Sequence, residues 1–511
     1  MISIFLTMLL LPYPAGYIQA NRALPQAQSP TTLESPDLDE NTIWLPSVRN
    51  YKENAPMTQT GCHFGITTPY SVDGYDLSTL GVDSYLDWGQ YNKNSTVADN
   101  IQYYRVINVS DAKYASNLAM LPTLVSTYPG SVWIIGNEPD SEVAYQDHIS
   151  AESYAERFHT MAKIIRLNDP SARIAFGTVI QPTPVRLYYL DKVIDRLVQL
   201  EQMIGGNRAS ALGLIDIYSI HAFILNERPL YTTPNCGDCW GAGVPVGYDP
   251  GSWPAPQIIT MDKTFDINFF TSRVTAFRQW MNALGPLEQE KPLWITEFGS
   301  LFTTDLGVSD LTTATYMDQT FDFMLETKDP SLGFASDDNR LVQKWLWYSL
   351  NENVSQFGGS LYNPLTHELT TVGEHFIQYN PSLSAVPALD PDVYIDPLNF
   401  SIVQGALGEY EITLKVGNNL SSDRLTEVRV SLYIEGNLVG SADIILPRCA
   451  GEIPVTIAGS GLRPSQDYTF SAQVSLVSAT ETDTNPANNE IVLPPITTPF
   501  FYNVMLPITF R

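Results

Sequence analysis

The 511-residue sequence predicts an α/β fold, a (β/α)8 TIM barrel, followed by a small all-β sandwich domain. Three observations carry the prediction. Eight short apolar runs between Phe64 and Leu350 alternate with stretches of helical period, and buried parallel strands read as near-continuous apolar runs. From about Tyr394 the pattern changes to a period of two, the mark of half-buried strands. All nine tryptophans lie at or before Trp347, so composition changes where the period does.

Composition excludes several classes. With 44% hydrophobic, 11% aromatic and only 16% charged residues the chain buries enough apolar surface to fold, which rules out wholesale disorder and fibrous architectures. Against 28 Lys and Arg stand 55 Asp and Glu, a formal net charge of −27. Such a surface repels phosphate backbones and anionic lipid, so a neutral or cationic partner is expected, not nucleic acid or a membrane surface.

Residues 1–20 read as a signal peptide. The apolar run Ile2 to Leu11 is too short to span a bilayer and long enough for a signal core, although the start has no Lys or Arg and the Ile18-Gln19-Ala20 cleavage triplet is imperfect. The expected location is therefore secreted or cell surface. No later stretch approaches 18 uninterrupted apolar residues, so no membrane-spanning segment is expected in the mature chain. Residues 21–58 are polar, proline-bearing and aperiodic, a flexible leader.

Four cysteines, Cys62, Cys236, Cys239 and Cys449, permit three pairings in an oxidising compartment. Cys236-Gly-Asp-Cys239 has no further Cys or His ligand close in sequence, so a local loop disulfide is favoured over zinc, leaving Cys62 and Cys449.

The barrel is placed at residues 59–381. Its runs are HFGITT, VDSYLDWG, IQYYRVINV, VWIIGNEP, RIAFGTVIQ, LIDIYSIHAF, PLWITEFG and QKWLWYSL. Between them, Tyr154, Phe158, Met161 and Ile165, and Phe270, Val274, Phe277, Met281 and Leu284, recur at helical spacing. The helices after the first three runs are short and poorly periodic. A proline-rich linker is placed at 382–397, a sandwich at 398–496 and a tail at 497–511. In the sandwich Tyr410, Ile412, Leu414 and Val416 share one face, as do Val428, Val430, Leu432 and Ile434 of another strand, and Gly436-Asn437 supplies a hairpin turn. The tail reads as a last strand or as a sorting or docking tag.

Barrels of this kind present reactive side chains at the C-terminal ends of their strands. The fourth run ends Gly136-Asn137-Glu138-Pro139-Asp140 and the seventh Thr296-Glu297-Phe298-Gly299, so each sets one glutamate at an apolar strand tip. A carboxylate there is costly unless paired or used, because desolvation disfavours its charged form. Two such groups facing across a mouth are the equipment of glycoside hydrolysis, one protonating the leaving oxygen and the other attacking the anomeric carbon.

These motifs resemble a known family. GNEPD and ITEFG are similar to the paired signatures of the clan A retaining glycoside hydrolases, which implies Glu138 as acid/base, Glu297 as nucleophile and Asn137 as ligand of the sugar 2-hydroxyl. LGVDSYLDWGQ, IGNEPD, AESYAERFHTMAKII, IYSIHAF, KPLWITEFGS and WLWYS occur in the order seen in the glycosyl hydrolase catalytic-core proteins of glycoside hydrolase family 128, and this resemblance implies an endo-β-1,3-glucanase. It covers about Gly61 to Tyr379. The family's sixth strand tends to read His-x-Tyr, whereas His221-Ala222-Phe223 lacks that hydroxyl, and the segment Asn226 to Asp266 has no counterpart in the family. The sandwich, above all its TDTNPANNEIVLPP ending, is similar to CARDB or immunoglobulin-like modules.

His221 shares a face with Ile217, Ser219 and Phe223 and can reach the lumen, to bond a sugar hydroxyl or the nucleophile or to sit satisfied in the core. Trp347 suits a sugar-stacking platform or ordinary core, and Asp87 and Trp88 suit groove lining or packing. Arg105, mid-strand, calls for a carboxylate partner such as Glu138 or Glu297.

The expected function is a retaining glycoside hydrolase acting on a neutral β-glucan polysaccharide. It is expected to be a monomer with no metal or organic cofactor, its two carboxyl groups about 5 to 5.5 Å apart. The alternatives are another clan A specificity (xylosidase, mannanase or arabinofuranosidase) and a non-catalytic polysaccharide-binding or adhesion protein.

Overall fold

The computed structural model describes residues 63–498, apart from 91–96, 98–100, 144–145, 171, 230–240, 304–305, 355–356, 381–390, 405–407, 419–425, 447–452, 479–481 and 484. The signal peptide, the leader, the tail beyond Thr498 and all four cysteines lie outside the described residues.

Nine parallel strands form the first sheet: β1 (Phe64–Thr67), β2 (Ser84–Leu86), β3 (Gln102–Tyr103), β4 (Arg105–Ile107), β5 (Val132–Ile135), β6 (Arg173–Val179), β7 (Ile217–His221), β8 (Leu293–Gly299) and β9 (Lys344–Tyr348). Their order is β3-β2-β1-β9-β8-β7-β6-β5-β4. Only Tyr104 separates β3 from β4, and its N–H donates to the Tyr85 carbonyl at 3.0 Å. The two short strands are thus one path broken at a single residue, and the eight apolar runs become the staves of the barrel.

Helices α1 (Tyr114–Thr127), α2 (Ala151–Asn168), α3 (Pro184–Met203), α4 (Arg208–Leu212), α5 (Ile267–Leu284), α6 (Pro286–Gln289), α7 (Asp310–Glu326) and α8 (Thr371–Tyr379) follow from the third stave onward, and a 3-10 turn at Leu77–Leu80 follows β1. The apolar stripe of α2 explains its seat: Tyr154, Phe158, Met161 and Ile165 are all fully buried, while the Ser150 hydroxyl caps the first turn by accepting from Ser153 N–H.

Side chains alternate along each stave, separating two apolar regions. Leu86, Tyr104, Val106, Ile134, Ala175, Ile217, Trp294 and Leu346 fill the lumen. Their neighbours, among them Trp133, Ile135, Tyr218, Ile295 and Trp345, pack outward against the helices. At the N-terminal end the buried Lys344 and Asp83 pair with each other.

The second domain has two antiparallel sheets. β10 (Val393–Gln404), β11 (Tyr410–Asn418) and β14 (Ile453–Gly459) form one in the order β10-β11-β14. β12 (Thr426–Ile434), β13 (Asn437–Leu446), β16 (Phe470–Leu476) and β17 (Glu490–Val492) form the other in the order β13-β12-β16-β17, and β15 (Asp467–Tyr468) pairs with β18 (Ile496–Thr497). Ile412, Leu414 and Val416 of one sheet and Val428, Val430 and Leu432 of the other meet in one buried core.

Two sequence expectations shift here. The sandwich begins at Val393, inside the segment assigned to the linker; Pro397 falls where the β10–β11 register slips between Ile395 and Phe400, on an edge strand that tolerates a missing N–H. The hairpin turn lies one residue early, at Glu435 (φ 49°) and Gly436 (φ 77°), with Ile434 paired to Asn437.

Candidate active site

Three tight backbone features at the C-terminal mouth aim the polar side chains. The first is the tip after β5. Gly136 has φ 96°, and a Cβ there would lie 2.9 Å from the Tyr154 ring, so only glycine fits. Glu138 itself has φ 47°, a conformation unusual for a side chain of its kind. Its N–H donates to the Thr178 carbonyl at 3.1 Å, and Thr178, at φ 45°, stands in the second feature, a bulge of β6 between Gly177 and Val179. Strain of this sort persists only where neighbours over-determine it.

Asp147 supplies that restraint. Its carboxylate accepts from Asn137 N–H at 2.6 Å, Val109 N–H at 2.9 Å and Ser110 N–H at 3.0 Å, so one buried side chain ties the β5 tip to the end of β4. Burial pushes its pKa up to about 7 against the pull of those three N–H groups.

The third feature lies in β8. Ile295 pairs with Trp345 and Phe298 with Trp347, three residues against two, and both Ile295 and Phe298 pack outward. The extra residue changes the phase of the strand and turns Glu297 toward the lumen, where strict alternation from Ile295 would have faced it to the helices.

Glu138 and Glu297, both buried, meet at His221 on β7. The ring stands between them, Nδ1 at 2.9 Å from Glu138 Oε1 and Nε2 at 3.2 Å from Glu297 Oε1. The Trp88 indole N–H donates to the same Glu297 oxygen at 2.8 Å. Burial disfavours charge on His221, but Glu297 and Glu138 outweigh it and raise its pKa. Burial pushes Glu297 up to about 7; His221 pulls it down and Glu138 adds to the rise.

Among the described residues these three side chains each offer a ligand atom within 4.8 Å of the others, a spacing that would also admit a metal ion. Both His221 nitrogens are already turned to carboxylate oxygens, so a metal would have to take one of them from its partner.

The remaining expected site residues separate. Asn137 lies beside Glu138 with its Nδ2 donating to Gln146 Oε1 at 2.7 Å. Trp88, half-buried, lines the mouth and touches Glu297 directly. Asp87 is exposed and shapes the loop instead, accepting from Gly89 N–H at 2.9 Å and the Tyr103 hydroxyl at 2.6 Å.

Trp347 is a correction. It has no exposed surface, donates to the Gly359 carbonyl at 2.7 Å and packs edge-on against Phe298 and Phe321, because its place in β9 points outward to the helices. The next residue, Tyr348, faces the site, its ring 6.1 Å from Trp88 and 5.9 Å from Phe223. Arg105 is the other: among the described residues it makes no ion pair with a carboxylate and lies over the rings of Tyr128 at 4.2 Å and Tyr103 at 5.1 Å, with Nη1 on Ser131 Oγ at 2.8 Å.

Sequence reasoning missed Trp88 as the donor to the nucleophile candidate, Asp147 as a brace, and Tyr348 with Glu352, whose Oε2 accepts the Tyr348 hydroxyl at 3.0 Å. The first had a signal: the absent hydroxyl in His221-Ala222-Phe223 left Glu297 wanting a donor from another strand. Asp147 and Glu352 sit in loops with no pattern to mark them.

No family profile matches the chain, and no curated protein does. Among solved structures the chain is similar to a glycoside hydrolase family 128 (subgroup I) endo-β-1,3-glucanase from Amycolatopsis mediterranei in complex with laminaritriose, at 14% identity and a TM-score of 0.38, covering 62% of this chain and 99% of that one. A mutant of that enzyme in complex with laminarihexaose aligns at 13% identity and a TM-score of 0.37, with 62% and 99% covered. The CARDB domain of a Pyrococcus furiosus protein in complex with di-metal ions aligns at 20% identity and a TM-score of 0.18, covering 21% of this chain and 94% of that domain. These are the family and the module that the sequence motifs resemble.

Proposed function

We propose that the barrel is a retaining glycoside hydrolase acting on a neutral β-glucan, with β-1,3 linkage favoured. One observation carries the reading: Glu138 and Glu297 face each other at a barrel mouth, a carboxylate oxygen of each within 4.8 Å, with His221 bridging them. Retaining enzymes set their carboxyl groups about 5 to 5.5 Å apart and inverting ones about 6.5 to 9.5 Å, so the short spacing supports double displacement.

In that mechanism a Glu297 oxygen attacks the anomeric carbon as the glycosidic C–O bond breaks, and Glu138 gives its proton to the departing oxygen. Glu138 then takes a proton from water, whose oxygen attacks the same carbon and frees Glu297. The Trp88 indole N–H and the His221 ring converge on Glu297 Oε1 and favour its anionic form. Trp88, Phe223 and Tyr348 give the mouth an aromatic wall suited to the apolar face of a pyranose. The linkage rests on the order of the motifs, and a secreted enzyme is in keeping with the apolar run Ile2 to Leu11.

The test is reducing-sugar release from β-1,3-glucan, mixed-linkage glucan, xylan and mannan, with and without EDTA. Cleavage of β-1,3-glucan with retained anomeric configuration, unaffected by EDTA, is the expected result. Cleavage of xylan or mannan alone would change the substrate, inverted product the mechanism, and binding without turnover would reduce the barrel to a binding module. The pH profile follows from the raised pKa of Glu297, which must be ionised to attack. Below about pH 7 it takes up a proton, so kcat/KM is expected to fall on the acidic side with an apparent pKa near 7. A profile flat down to about pH 5 would contradict this.

A further inference from the structure

We propose that the pocket formed by the loops after β1 and β9 is a second sugar site, holding a unit of the same neutral polysaccharide some distance along the chain from the bond being cut. This rests on the glycosidase reading above. The cavity measures about 530 Å³ and is lined by Tyr70, Asp73, Tyr75, Asn351, Asn353 and His367 among others. That volume lies within the roughly 300 to 1,000 Å³ of small-molecule sites. Both loops leave the C-terminal ends of their strands, on the face that carries Glu138 and Glu297.

The pocket is built in advance. Asn351, fully buried, takes Thr68 Oγ1 at 3.2 Å and Tyr70 N–H at 3.3 Å on its Oδ1, and its Nδ2 donates to the Ser71 carbonyl at 2.8 Å. One amide thus fixes the whole turn from 68 to 71. Tyr75 stacks on His367 with ring centres 4.5 Å apart and sits edge-on to Tyr362 at 5.1 Å, while Tyr70 leaves 47% of its surface open.

Its chemistry selects the ligand. The lining holds no Lys or Arg, and Asp73 adds a negative charge, so phosphates and carboxylates meet no counter-charge. Amides and hydroxyls offer both donors and acceptors beside aromatic rings, which is what a polyol with one apolar face requires.

A shared wall joins the pocket to the reactive pair. Glu352, buried, accepts the Tyr348 hydroxyl at 3.0 Å on one oxygen and Asn353 N–H at 2.8 Å on the other. The Tyr70 hydroxyl, raised in pKa first by burial and then by Glu352, is directed to the same carboxylate. Tyr348 in turn lies against Trp88, the donor to Glu297. The contacts from Tyr70 through Glu352 and Tyr348 to Trp88 thus run from the pocket to the reactive pair.

The experiment compares Tyr70→Ala and Tyr70→Phe on β-1,3-linked glucohexaose and on a short aryl β-diglucoside. Tyr70→Ala is expected to lower kcat/KM on the hexaose by about tenfold, mostly through KM, and to leave the aryl substrate within about twofold; Tyr70→Phe keeps the ring and stays near wild type. Equal losses on both substrates, or none on either, overturn the second site while wild-type cleavage keeps the enzyme reading. If wild type cuts neither substrate the enzyme reading fails, and titration of the hexaose decides the pocket: weaker binding to Tyr70→Ala sustains it, equal binding removes it.

Discussion

Replacing Glu297 by Gln should abolish turnover of the polymer, with kcat/KM down by about 10⁴-fold or more, while folding and substrate binding persist. The amide keeps the shape and still accepts the Trp88 N–H, but it cannot form the covalent intermediate, so the loss falls on kcat. Glu138→Gln should behave differently, and the contrast is the informative part. It removes the proton donor, a contribution of about 10² to 10⁴-fold on a sugar leaving group. On an aryl glycoside whose phenol leaves unaided, the first step should be spared and the second should become limiting. A small anion such as azide should then restore turnover of Glu138→Ala by attacking in place of activated water, giving a glycosyl azide of retained configuration. Equal losses for both variants on both substrates, with no azide product, would refute the assignment of roles.

His221→Asn should cost about 10² to 10³-fold in kcat/KM and move the acidic limb of the pH profile upward. The sign follows from the site. His221 lowers the Glu297 pKa, so removing it lets burial and Glu138 raise that carboxyl further. Glu297 is then ionised only at higher pH, and the weaker enzyme needs more alkaline buffer to work. A histidine that served packing alone would lower kcat and leave the limb where it was. The variant also leaves two buried carboxyls within 4.8 Å without their bridge, which is why a large effect is expected from a residue that forms no bond to substrate carbon.

Much of this was legible because barrels reward simple patterns. Each of the eight apolar runs is a stave, and Glu138 and Glu297 stand at strand ends where the runs give way to polar residues. Period two placed His221 in the lumen with Ile217 and Ser219, since β7 keeps its alternation up to that point. The same rule failed where the backbone departs from it. Trp347 was expected at the mouth because Trp345 shares its face, and both do share one; that face is the outer one, which the residues of β9 alone do not reveal. Glu297 reaches the lumen through a bulge, and a bulge leaves no period to read. Pro397 looked like linker because a proline that interrupts a ladder and a proline that ends a strand are the same letter. Arg105 found aromatic rings where a carboxylate was expected, since flat faces of Tyr103 and Tyr128 also accept a guanidinium.

The backbone at position 138 sets a limit on how the protein can be improved. A residue with a side chain at φ 47° costs the folded chain about 1 to 2 kcal/mol that glycine would not incur, and a buried carboxyl adds its own desolvation. Heat tolerance and activity therefore pull in opposite directions at this one position. A library screened only for survival at high temperature would enrich chains that have lost Glu138, and the hardiest of them would be the least able to cut a sugar chain.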